Sequence, residues 1–374
     1  MSRVLPIAVF LAIALSLIGG MHYYVWARMV RDPHLPPLAA RAVTLLIVAL
    51  GVSIPLAMIA SRLFHASLRP AMWLVYVWMG MGFLLVAFFG FADAGRLLAR
   101  PLLGADPARR LFLARTLAAG VGGVVAGLTA AGIKSALGPT QVKELEIRLR
   151  GLPPDLAGFK LVQISDVHVG PLLRKDWLAH VVSRVKALAP DLVAITGDLV
   201  DGSVTELREQ VAPLASLSPP RGVWFVTGNH EYYSGVEDWY AHLPTLGVRP
   251  LRNERVEVAP GLDLAGIEDP TGSPDLPRAL AGRDPARALV LLAHQPRQFA
   301  EAARHEVPLT LSGHTHGGQI WPFSWIVALV QPYLAGLHRR GSSQLYVSRG
   351  TGFWGPPMRI GAPAEITLLK LMPG

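Results

Sequence analysis

Near the carboxyl end of this chain, Gly313-His314-Thr315-His316 follows a short apolar run at 308–312. Such a run, bounded by turn residues, reads as a buried strand. Two imidazoles placed two residues apart where a strand ends can approach one point from neighbouring directions, as metal ligands do. The same grammar recurs upstream. Residues 161–165 run into Asp166 and His168, 192–196 into Gly197 and Asp198, 223–227 into Gly228-Asn229-His230-Glu231, and 289–293 into His294. Open α/β sheets bind ligands at the carboxyl ends of their strands. One His or Asp there is ordinary packing; repeated placement points to a site. The chain has no cysteine, which excludes disulfides and thiolate ligands and leaves nitrogen and oxygen donors.

Taken together, these blocks resemble those of the calcineurin-like metallophosphoesterases: Asp-x-His, Gly-Asp, Gly-Asn-His-Glu, a lone His and Gly-His-x-His, in that order between 161 and 316. The stretches 228–233, 291–296, 314–319 and 348–354 are similar to a membrane-linked bacterial branch of that family. The resemblance implies two stacked mixed β-sheets flanked by helices. It also implies two divalent ions (Mn, Fe, Zn or a mixed pair). One would take Asp166, His168 and His316, the other Asn229, His294 and His314, with Asp198 as the bridge. His230 matches the family's non-ligand histidine, which protonates the leaving alkoxide or stabilises the equatorial oxygens. Asp201 and Glu231 look like residues that orient the ligands from behind. Two ions about 3.5–4 Å apart acidify a shared water to hydroxide and clamp phosphoryl oxygens during in-line displacement, so no protein nucleophile is needed. Neither a Gly-x-Ser-x-Gly elbow nor a P-loop competes.

The expected activity is therefore a phosphodiesterase reaction on an envelope or lipid-linked phosphoester. One alternative is a pyrophosphatase of the UDP-2,3-diacylglucosamine type; another is a non-catalytic membrane sensor with a vestigial site. Arg349 and Arg359 could meet a substrate phosphate, although solvation at the surface is the commoner use of such arginines. Asp269, in Glu268-Asp269-Pro270, reads as a turn residue.

The elements that must position these residues alternate strand and helix over 139–374. A strand is expected at 142–149, where apolar and charged residues alternate. A helix is expected at 176–188, with Trp177, Val181, Val185 and Leu188 on one face. A second helix is expected at 204–217, short strands at 247–267, and late strands at 345–348 and 364–371. This order predicts an α/β domain with a mixed sheet.

Residues 1–138 are of another kind. Hydrophobic residues make up 51% of the chain and charged residues only 16%, which leans towards a membrane protein. Four spans are expected, near 4–20, 42–60, 71–92 and 111–133. The net charge is +9, and the excess lies up to Lys134, leaving 139–374 neutral overall. That distribution disfavours nucleic acid as a partner. Arg28, Arg31 and Arg41 precede the second span, and Arg96, Arg100, Arg109 and Arg110 precede the fourth. These loops are expected in the cytoplasm, with the domain outside a bacterial inner membrane. Arg109-Arg110-Leu111-Phe112-Leu113 also resembles a twin-arginine export signal, making that machinery an expected partner.

One apolar stretch remains, 317–337, directly after His316. Pro322 and Pro332 break it, and it is too short to span a bilayer. Its aromatic residues, Trp321, Phe323 and Trp325, suit a segment dipped into the membrane interface beside the site. A buried helix covering the sheet would explain the same composition.

Overall fold

The computed structural model describes residues 4–63, 69–99 and 106–374. The chain divides into two compact units, Met1–Lys134 with Gly355–Met358, and Ser135–Trp354 with Arg359–Gly374. Four long helices dominate the first: α1 (Val4–Trp26), α2 (Pro37–Leu63), α3 (Arg69–Leu98) and α4 (Pro107–Leu137). Among the described residues, three helices are long and apolar enough to cross a membrane: Pro37–Ala57, Pro70–Leu98 and Pro107–Leu137. They carry the spans expected near 42–60, 71–92 and 111–133; the one expected at 4–20 falls in α1. Arg100 lies outside the described residues. Several polar groups among these helices pair with one another, as apolar surroundings favour. Tyr24 Oη donates to Asp93 Oδ2 (2.6 Å), Arg28 Nη2 reaches the same carboxylate (2.8 Å), and Trp78 Nε1 donates to His22 Nε2 (2.9 Å).

The second unit is an α/β domain with two mixed six-stranded sheets. Its first half runs β1 (Gln141–Leu149), β2 (Phe159–Ile164), α5 (Lys175–Ala187), β3 (Leu192–Thr196), α6 (Val204–Val211), β4 (Val223–Val226), α7 (Asn229–Tyr233), α8 (Val236–His242) and β5 (Val248–Pro250). Next come β6 (Glu254–Ala259), β7 (Leu262–Gly266), α9 (Leu276–Leu280), β8 (Ala288–Leu292), α10 (Phe299–Arg304) and β9 (Leu309–Ser312). The chain closes with α11 (Phe323–Val330), β10 (Gly336–Arg340), β11 (Ser343–Val347) and β12 (Glu365–Pro373). The helix expected at 204–217 stops at Val211 and continues as a 3₁₀ turn, Ala212–Ser216. Pro213 is the reason: it has no N–H with which to continue the helical hydrogen-bond ladder.

The first sheet has the order β1-β12-β2-β3-β4-β5 and the second β10-β11-β9-β8-β7-β6. Strand side chains alternate between two covered faces, so the runs read as continuously apolar. In β3, Leu192 and Ala194 enter the core between the sheets, where Leu264, Val290 and Leu311 also lie. Val193 and Ile195 face the other way, onto Leu178, Val181, Val182 and Val185 of α5. Those four α5 residues follow the i, i+3, i+4, i+7 spacing of one helical face. Across the second sheet, Leu289 and Leu291 pack on Phe299 and Ala302 of α10. Each fully buried aliphatic side chain contributes about 1.5–3 kcal/mol, so this layering fixes the strand ends firmly.

Register then aligns those ends. β2, β3 and β4 are parallel, pairing Ile164 with Ile195 and Thr196 with Val226. β7, β8, β9 and β11 are parallel in the other sheet, pairing Leu292 with Leu311 and Val347 with Ser312. Gln163, a buried polar residue in a largely apolar strand, joins the two sheets: its Nε2 donates to Thr196 Oγ1 (2.8 Å) and to Ser312 O (3.0 Å). The carboxyl ends of five strands thereby converge on one place.

Candidate metal centre

Asp166 and His168 follow β2, Asp198 follows β3, and Asn229 opens α7 after β4. His294 follows β8, and His314 and His316 follow β9. Among the described residues, three groups of donors have ligand atoms mutually within 4.8 Å: Asp166, His168 and His316; His168, Asp198 and His230; and Asp198, His294 and His314. His168 Nε2 and His316 Nε2 are 3.0 Å apart, and Asp166 Oδ1 is 3.6 Å from His316 Nε2. Asp198 Oδ2 lies 3.2 Å from His294 Nε2 and 3.9 Å from His168 Nε2.

The local backbone is shaped to allow this. Asp166, His168, Asp198, His314 and His316 all have positive φ, between 50° and 71°. That region is uncommon for non-glycine residues and clusters at functional sites. Two glycines make the close approaches possible. A Cβ on Gly228 would fall 2.1 Å from Asp198 Oδ1, and one on Gly313 would fall 2.2 Å from Asp166 Oδ2.

Hydrogen bonds hold the donors in place. Asp201 Oδ1 lies 2.8 Å from His168 Nδ1 and 2.7 Å from His230 Nδ1, so one carboxylate orients two imidazoles. His294 Nδ1 donates to Thr196 O (2.7 Å), which leaves Nε2 to face the centre. Buried Glu231 accepts from the backbone N–H groups of Asp198 (3.0 Å), Leu199 (2.7 Å) and Gly228 (2.6 Å), fixing two ligand loops at once. Asp198 Oδ1 accepts from His230 N, and Asp166 Oδ1 from His314 N, both at 2.9 Å.

Charge in the site is polarised. Burial pushes His168 down, but the adjacent Asp201 outweighs it and raises the imidazole to about 9. Burial likewise opposes Asp201, yet His168 and His230 lower it to about 2. Asp198 is driven well below the carboxylate range despite its burial, chiefly by His294, and His294 is raised in turn. Burial and the neighbouring His294 lower His314 to about 3. His316 is also depressed, by burial, His168 and Arg359. Burial and Asp198 raise Glu231 to about 7. A cation held by these nitrogens and oxygens would take the place of the protons on His168 and His294.

The donor set fits such a cation. Asp166 Oδ2, Asn229 Oδ1 and His294 Nε2 are buried atoms without a hydrogen-bond partner among the protein's own groups. Unsatisfied buried polar atoms are costly and call for an explanation; a bound cation would satisfy these three, which belong to candidate ligands.

Other sequence expectations fare differently. Arg359, expected to be solvated, is buried. Its guanidinium donates to Gly352 O (2.9 Å) and Ala362 O (2.9 Å), and its Nη2 lies 3.3 Å from His316 Nδ1. It behaves as an internal tie because the carbonyls of His316, Gly350, Gly352 and Ala362 surround it, and a lone Arg in a proline-rich loop gave no sign of that. Arg349 is half-buried and sits 3.7 Å from Glu365. Asp269 is indeed in a turn, accepting from Thr271 N (2.8 Å), and is buried, also accepting from Gln295 Nε2 (2.8 Å). Trp321, Phe323 and Trp325 are not core: α11 buries none of its residues, which removes the covering-helix reading. Two rings escaped the sequence reading as site neighbours, Tyr233 and Trp354, whose centroids lie 5.6 Å and 5.8 Å from His230.

A family profile described as calcineurin-like phosphoesterase matches residues 159–318. An uncharacterized metallophosphoesterase of Helicobacter pylori (strain J99) is 40% identical over 71% of this chain and 73% of its own length. The chain belongs to the calcineurin-like metallophosphoesterase family. This metallophosphoesterase is also 36% identical to the bovine protein named transmembrane protein with metallophosphoesterase domain, over 96% of this chain and 87% of that one. The uncharacterized metallophosphoesterase YkuE of Bacillus subtilis is 31% identical over 70% of this chain and 97% of its own. Membership makes the chain a metal-dependent phosphoesterase, a hydrolase. Its apolar helices and its transmembrane relatives mark it as a membrane protein.

Proposed function

We propose that this metallophosphoesterase is a membrane-anchored, dinuclear-metal hydrolase of phosphodiesters. The observation that carries the reading is the position of Asp198. Its Oδ2 faces both His294 Nε2 at 3.2 Å and His168 Nε2 at 3.9 Å, while Oδ1 is engaged by His230 N, so a single oxygen lies between the two histidine sets and could be shared by two cations. Asp166, His168 and His316 would hold one ion, Asn229, His294 and His314 the other, and Asp198 would be shared. Nitrogen and oxygen donors of this kind suit Mn, Fe or Zn. Such ions, when bound, supply Lewis acidity, lowering the pKa of water and drawing charge from phosphoryl oxygens.

The chain's own groups do the rest. Asp201 engages His230 Nδ1, which leaves Nε2 to give a proton to the leaving oxygen as its bond to phosphorus breaks. Glu231 keeps Asp198 aimed by holding its backbone. The arginine-rich loops before the second and fourth spans support a cytoplasmic place for those loops and an extracytoplasmic catalytic domain at a bacterial inner membrane. Arg109 and Arg110 support export by the twin-arginine machinery. An outward domain weighs against a nucleotide-linked lipid precursor made in the cytoplasm, and favours a phosphoester of the envelope.

The test is hydrolysis of bis-p-nitrophenyl phosphate and p-nitrophenyl phosphate by the full chain in detergent with Mn, Fe and Zn. The diester should turn over faster. Asp198→Asn should lose several kcal/mol of transition-state stabilisation, about 10³-fold in rate, with the fold intact. A faster monoester would overturn the diester assignment, and wild-type turnover by Asp198→Asn would overturn the shared ligand.

A further inference from the structure

The helix α11 is built against the usual rule. Seven of its eight residues, Phe-Ser-Trp-Ile-Val-Ala-Leu-Val, are apolar, yet it buries none of them. Ile326 is 50% exposed, Leu329 85% and Val330 73%. Contiguous apolar surface of this kind marks an interaction site. At eight residues the helix is about 12 Å long, far short of a span.

Its attachment is as telling as its surface. Both ends of the excursion are clamped to the loop that carries His314 and His316. At the start, a Cβ on Gly318 would fall 2.4 Å from Ser324 Cα, so the first turn of α11 lies directly on that loop. At the end, Thr315 Oγ1 donates to Leu334 O (2.6 Å). Just beyond stand Arg339 and Arg340 of β10, both exposed. An apolar helix followed by exposed arginines is the composition of a segment that lies in the boundary between lipid headgroups and acyl chains. There the rings and aliphatic groups dip inwards and the guanidiniums meet anionic headgroups. The chain also carries helices long enough to span a membrane, so a bilayer is within the domain's reach.

We propose that α11 and the β10 arginines form a docking surface for an anionic bilayer, which seats the His314–His316 loop at the membrane surface. Docking needs no catalytic assumption. Its consequence, that the substrate is a phosphoester carried by an amphiphile and presented at headgroup depth, rests on the hydrolytic reading above.

Because the chain has no cysteine, a single one introduced at Leu329 carries a nitroxide label alone. The full chain bearing Leu329→Cys is reconstituted in vesicles containing phosphatidylglycerol, with Glu209→Cys, at an exposed position of α6, as reference. Collision with oxygen and with a water-soluble nickel chelate is then measured by electron paramagnetic resonance. The oxygen-to-chelate ratio at position 329 should exceed that at 209 by roughly tenfold, as burial ~5–10 Å below the headgroups requires. Arg339→Glu with Arg340→Glu should cut the contrast on these vesicles to about a third or less. Equal ratios at the two positions overturn the proposal. Low collision with both reagents at 329 overturns it as well, because protein then covers the helix. An unchanged contrast in the double variant removes the arginines from the surface. None of these readouts depends on turnover, so they stand or fall apart from the hydrolase reading.

Discussion

The ligand loops and α11 adjoin in the chain and are opposite in construction. The loops are polar and buried, with positive φ at Asp166, His168, Asp198, His314 and His316. Their side chains are held by Asp201, Glu231 and backbone carbonyls, and three donor atoms are left over. α11 is relaxed, apolar and outward-facing. A third element calibrates the contrast: α5 is far less apolar than α11, yet it buries Leu178, Val181, Val182 and Val185. Composition therefore does not decide burial here. The loops accept strained backbone because a precise arrangement of donors requires it, and the two sheets behind them supply the stability. α11 leaves Ile326, Leu329 and Val330 exposed, as suits a surface that meets something outside the domain.

The comparison can be broken at either side. The largest effect is expected in the loops, at His230. His230→Gln should lower kcat by about 10²–10⁴-fold for a diester with an alkyl leaving group. It should do far less for one with a p-nitrophenolate leaving group, which departs without a proton, and metal content should hold. Equal losses on both substrates would mean that His230 serves the ligands rather than the leaving oxygen. A smaller effect sharpens the contrast between helices. Leu178→Ala in α5 should cost about 2–5 kcal/mol, read as an earlier unfolding midpoint in denaturant. Leu329→Ser in α11 should stay within about 0.5 kcal/mol in detergent. A large loss at Leu329 would make α11 a structural element after all.

Much of this was legible in the sequence because the site is written in short local blocks. Each apolar run marked a strand, and the Asp, Asn or His behind it marked the strand's carboxyl end. Parallel register then brought the ends together. What escaped was whatever depends on distant partners. Gln163 lies in an apolar run that signals only a strand, and is a tie between sheets. Arg359 looked like a surface residue and is buried behind His316. Tyr233 and Trp354 reach His230 only through the fold. For the segment after His316, composition allowed either an interfacial or a buried helix, and only the exposure of α11 separates them.

The central claim is that one carboxylate serves two ions, and metal stoichiometry tests it most directly. Full-length chain stripped with chelator is titrated with Mn, and bound metal per chain and diester hydrolysis are followed together. Two equivalents should bind, with turnover appearing as the second site fills. Full turnover at a single equivalent, or none bound beyond the first, would contradict the account.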